Sequence, residues 1–160
     1  MLTTTSSTYV DFWGRTQRHA VADEMFVIFS HHTSTTMTNV LLDPATPELR
    51  HAGREVRDTL MRFPNVVAWV NGHTHENRIT AHRHADPRRS FWEINTASHV
   101  DFPQHARIIE LCDNADGTLS LYTTLVESAA PYAASTTGQD QADLASLYRE
   151  LSYNDPNRSA

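Results

Sequence analysis

The sequence predicts an α/β fold: two parallel strands joined by a helical crossover, then mainly antiparallel strands and a terminal helix. Three observations lead there. The runs "MFVIFS" (residues 25–30) and "NVVAWVN" (65–71) are short and continuously apolar, the pattern of strands buried on both faces of a parallel sheet. Between them apolar residues recur at helical spacing. After residue 77, short segments rich in β-branched and aromatic residues alternate with polar loops.

Taken in order, residues 1–20 are rich in Thr and Ser, lack a clear period and read as a poorly ordered lead-in. Residues 21–127 form the main domain. Its first strand ends in His31-His32 and a Ser/Thr loop. Thr46-Pro47-Glu48 supplies an N-cap with Pro in the first turn. Leu49, Ala52, Val56 and Leu60 then mark one helical face, with His51 on the same helix and an end near Phe63-Pro64. Strand, helix, strand in this order implies a right-handed crossover between parallel strands. "NRITAH", "SFWEINTA", "HARIIELC" and "TLSLYTTLV" follow as further strands. Asn114-Ala115-Asp116-Gly117 is a hairpin turn, after which Leu119, Leu121, Thr123 and Leu125 alternate as one half-buried face. Residues 128–139 read as a linker. Residues 140–160 hold a final helix, near 141–151, carrying Leu144, Leu147, Tyr148 and Leu151.

Composition narrows the chemistry. All 13 basic residues are Arg and the formal net charge is −6, so the chain gives no nucleic-acid signal. Without lysine, Schiff-base chemistry and a P-loop lysine are excluded. No apolar run reaches the roughly 20 residues that span a bilayer. The single cysteine, Cys112, has no internal disulfide partner and reads as a buried thiol ending a strand. Histidine is the unusual entrant, with ten copies, and imidazole is the commonest protein metal ligand.

Position singles out two groups of them. "VVAWVNGHTHENRI" ends a strand in His73-x-His75, and alternate residues of an extended chain aim their rings the same way. Gly72 lets the backbone turn sharply there. Parallel strands share a C-terminal edge, where ligands bind in open α/β sheets. His31-His32 and His73-x-His75 are therefore expected at one edge, as neutral donors for Zn, Fe, Mn or Co.

These residues carry a family resemblance. "FSHH" after one strand and "NGHTH" after the next are similar to the last two motifs of the calcineurin-like metallophosphoesterases, a lone His followed by Gly-His-x-His. "FSHHTSTTMTN", "FWEINTASHVDFPQHARIIEL" and "DNADGTLSLYTTLV" resemble an actinobacterial branch whose members generally carry a twin-arginine export leader, over residues 25–155. The resemblance implies the C-terminal half of an α/β/β/α sandwich. It also implies a hydrolase of phosphate mono- or diesters with two divalent ions, Mn, Fe or Zn, and His31, His73 and His75 as ligands. His32, Asn71, Asn95 and His99 become residues that support a ligand or touch substrate; capping is the plainer role for Asn95 and His99.

The family's earlier motifs, Asp-x-His, Gly-Asp-x-x-Asp and Gly-Asn-His-Asp/Glu, do not occur. The expectation is thus the C-terminal portion of a larger enzyme. The alternatives are an inactive remnant binding one ion weakly, or a module that joins a separate N-terminal half or itself. Elsewhere, His82-x-His84 reads as a solvated hairpin tip and Arg88-Arg89 as an exposed charge pair. Trp69 and Trp92 read as core, and His105 as structural or surface.

Overall fold

Apolar runs become strands, and strand order decides which of them are buried. The computed structural model describes residues 7–10, 16–19, 24–41, 50–135, 137–138 and 140–156. Two units cluster separately: residues 1–71 with 79–94, and residues 72–78 with 95–160.

The first unit is built on a four-stranded mixed sheet with, among the described residues, one helix between its parallel strands. Its strands are β3 (Phe26–Phe29), β4 (Val66–Asn71), β5 (Arg78–His82) and β6 (Phe91–Asn95), in the spatial order β3-β4-β6-β5. β3 and β4 pair in parallel, with Phe29 opposite Val70 and a register shift between Phe26 and Val27. A separate antiparallel hairpin joins β1 (Ser7–Val10) to β2 (Thr16–His19). That pairing replaces the unstructured reading for those residues; the remainder of the lead-in lies outside the described residues.

Burial follows sheet position. Central β4 places Val66, Ala68, Trp69, Val70 and Asn71 out of solvent. β3 is an edge strand, so its apolar run is only half covered, and Phe29 stays 73% exposed rather than buried. The core joins Leu60, Val66, Trp69 and Phe91, with Ile28, Val56 and Phe63 packed on it.

Helix α1 (Gly53–Leu60) turns Val56 and Leu60 onto that core. It begins later than its apolar period suggests. Residues 50–52 are non-helical, Ala52 is extended as the N-cap, and Glu55 accepts its N–H at 3.3 Å. His51 therefore precedes the helix. Thr46-Pro47-Glu48 lies outside the described residues. A close approach fixes which residue stands at its first position. A Cβ on Gly53 would stand 2.2 Å from the carbonyl oxygen of Ser34, so only glycine lets the helix meet that loop.

The second unit holds an antiparallel hairpin, β7 (Ala106–Asp113) with β8 (Leu119–Val126), and helix α2 (Gln141–Tyr153). The turn is the expected one: Ala115 and Gly117 take positive φ, and Asn114 N–H reaches Thr118 O at 3.1 Å. Leu119 and Leu125 are 38% and 46% exposed, so the alternating face is less covered than its pattern implies. Cys112 is exposed, not buried.

Helix α2 reverses its sequence pattern. Asp140 caps it, its carboxylate accepting the Asp143 N–H at 2.8 Å. Leu144, Tyr148 and Leu151 are exposed, whereas Ser146, Arg149 and Ser152, three apart, are buried. Polar partners explain this. The Arg149 guanidinium donates to the carbonyls of Ser128, Ala130 and Pro131 at 3.1, 3.3 and 3.5 Å. It also lies 4.9 Å from the centre of the Tyr132 ring. Ser146 donates to Pro131 O as well. The expected linker is thus tied to α2 through its backbone. Among the described residues no helix is long and apolar enough to cross a membrane.

Candidate functional site

In the first unit, His31 and His32 occupy an exposed turn directly after β3. Parallel pairing extends to the end of that strand, where Ser30 N–H donates to Val70 O at 3.1 Å. Buried Trp69 then needs a partner for its indole N–H, which it gives to Ser30 Oγ at 2.8 Å. Ser30 Oγ in turn donates a hydrogen bond to His32 O at 2.7 Å. The core is thereby linked to the turn through one hydroxyl. The two imidazoles stand edge to face with centroids 5.0 Å apart. Thr33, buried, closes the turn, accepting the Thr36 N–H at its carbonyl.

A second anchor was hidden in β6. Glu93 is 5% exposed, and four donors surround its carboxylate. Ser34 N–H and Asn71 Nδ2 reach Oε1 at 2.7 and 2.8 Å. Ser34 Oγ and His82 Nε2 reach Oε2 at 2.7 and 2.6 Å. Burial works to raise the Glu93 pKa, but the bonds from His82, Ser34 and Asn71 outweigh it and hold the group at about 2. An ionised carboxylate can only accept, so His82 donates through Nε2. One buried anion thus fastens the histidine turn, the end of β4 and the end of β5.

His82 was expected at a solvated tip and is instead almost buried, its side chain 10% exposed. The signal for Glu93 was present in "FWEIN": period two puts it on the same face as Phe91 and Asn95, which are buried. Trp92 points the other way and is 47% exposed, so it is not core. Asn71 lies at the end of β4, 2% exposed. Arg88 is exposed and paired with Asp86, while Arg89 donates to Met61 O at 2.9 Å.

In the second unit, the loop after β4 does not continue as extended chain. His73 and His75 have φ of 71° and 58°, both left-handed, so their rings are not aimed by strand alternation. Gly72, by contrast, is not in that region, and a Cβ there would make only ordinary contact, with Thr96 O at 3.8 Å. The sharp turn is therefore made by the histidines. His73 is exposed. His75 is half-buried, with its Nδ1 hydrogen-bonded to the Asp101 carboxylate. Nδ1–H toward a carboxylate leaves Nε2 as the ring's lone-pair donor, the arrangement common behind metal-bound histidines.

The same loop is braced by Asn95, whose Nδ2 donates to Thr74 Oγ1, and by Asn77. Asn77 Oδ1 accepts from Arg107 Nη2 at 2.9 Å and from Ala97 N–H at 3.3 Å, while Nδ2 meets His105 Nδ1 at 2.9 Å. His105 thus shares the hydrogen-bond network of Asn77. His99 is exposed at a bend. Asp101 carried no motif and was invisible in the sequence.

Compared with known protein families and with curated proteins, the chain matches none.

Proposed function

We propose that the chain carries the last two metal-binding motifs of a binuclear-metal phosphoesterase acting on phosphate mono- or diesters. His31, His73 and His75 are the ligands. One observation carries this reading: β3 and β4 are parallel neighbours, and histidines follow both at their C-terminal ends. His73 stands only two residues past the last residue of β4, so covalent reach ties it to that edge.

The donor chemistry fits a divalent first-row ion. Imidazoles suit Mn, Fe or Zn. His75 has its ring nitrogens sorted by Asp101. When bound, such ions activate water as a nucleophile and hold phosphoryl oxygens. The chain's own residues fix the turn carrying His31 through Ser30 and Ser34, and hold the tautomer of His75 through Asp101.

A second reading, a module holding one ion without hydrolysis, is favoured by the donor set. Three neutral imidazoles supply no carboxylate to bridge two cations, and the family's carboxylate motifs are absent from these 160 residues.

Titrating Mn²⁺ and Co²⁺ into the chelator-stripped chain, followed by hydrolysis of 4-nitrophenyl phosphate, separates the two. Hydrolysis lost in His73→Asn, which keeps the left-handed backbone, supports the phosphoesterase; ion binding alone, lost in the same variant, supports the module. Asp101→Asn should weaken binding by about 10–100-fold. No retained ion, or binding indifferent to His31→Ala, His73→Asn and His75→Asn, refutes both.

A further inference from the structure

A groove in the first unit is left unused by the chemistry above. It lies at the end of β5, encloses about 450 Å³ and is walled by His82, Arg83, His84, Phe91 and Trp92 among others. A neighbouring hollow of about 300 Å³ shares His82 and Arg83 with it.

Its polar groups are oriented. His82 is held by Glu93 at Nε2 and by the Phe91 ring, centroids 5.0 Å apart. His84 Nδ1 accepts the Asp86 N–H at 3.0 Å, which places the ring proton on Nε2. The nearby carboxylates are already engaged: Asp86 with Arg88, and Glu93 with its four donors. Arg83 is exposed and makes no hydrogen bond or ion pair among the described residues. Trp92 lines the same groove as this uncommitted cation and is 47% exposed.

We propose that this groove binds a small planar aromatic molecule bearing an oxyanion, with its ring on Trp92 and its anion on Arg83 and the Nε2–H of His84. Stacking supplies the preference for a ring, and the guanidinium the preference for an oxyanion. No metal ion takes part, so the site stands apart from the histidines that follow β3 and β4.

The test is calorimetric titration of the full chain kept in chelator, with phenylphosphonate as the probe and methylphosphonate as the anion without a ring. Phenylphosphonate should bind at least about tenfold more tightly, and Trp92→Ala and Arg83→Gln should each weaken it about tenfold. Trp92→Phe, which keeps a ring, should largely retain it and guards against misfolding of the alanine variant. Benzoate distinguishes the anion: binding extends the ligand class to carboxylates, and no binding confines it to phosphoryl groups, the groove standing in either case. Equal affinity for the two phosphonates, no binding of phenylphosphonate, or affinity unchanged by Arg83→Gln would overturn the proposal.

Discussion

Replacing Glu93 by Gln tests whether one buried charge holds the first unit's loops. Each carboxylate oxygen accepts two hydrogen bonds. A glutamine must turn its NH₂ toward one pair of donors. The tolerant side is Oε2, because Ser34 Oγ can rotate to accept and His82 can shift its proton to Nδ1. Shape is then preserved and the loss is chiefly that of charge. Its size follows from the pKa: a fall from 4.5 to about 2 corresponds to about 3 kcal/mol. The sign is fixed, since a depressed folded value stabilises fully above pH 4.5 and is lost as pH falls toward 2. Urea unfolding, followed by circular dichroism from pH 7 down to pH 2.5, reads this directly. Wild type should exceed Glu93→Gln by about 3 kcal/mol at pH 7, with the gap closing below pH 4.5. A gap that stays constant with pH, or no gap at pH 7, would refute the account.

Two further outcomes are expected. Gly53→Ala should destabilise by about 1–3 kcal/mol because its Cβ meets the Ser34 backbone, whereas Gly72→Ala, whose Cβ would make only ordinary contact with Thr96, should shift the melting midpoint little. Arg149→Ala should cost about 2–4 kcal/mol by stripping donors from three carbonyls, and limited proteolysis should then cut residues 128–139 faster than in wild type.

What could be read in advance was whatever depends on local pattern. The runs at β4, β6, β7 and β8, the Asn114–Gly117 turn and the start of α2 all follow from periodicity and turn chemistry. Edge position does not, because strand order is a property of the whole sheet; hence the exposed Phe29 of β3. The inverted face of α2 escaped for a related reason. Its partners are main-chain carbonyls, which favour Arg149 over Leu144 and Leu151, and no hydropathy pattern marks a carbonyl. At the site, the histidines were conspicuous by type and spacing. Glu93, His82 and Asp101 act through groups distant in sequence, so only the fold assembled their roles.

The left-handed backbone at His73 and His75 bears on how replacements there are chosen and read. Alanine at either position removes the ring but leaves a conformation that costs an L-residue roughly 1–2 kcal/mol, so a loss conflates chemistry with a reshaped loop. Asparagine accepts that conformation more readily and carries no imidazole, which makes it the cleaner substitute. Valine or isoleucine would be excluded on backbone grounds alone. The narrow set of residues that can occupy this loop is therefore set twice over, once by what a ring can donate and once by which way the chain must bend.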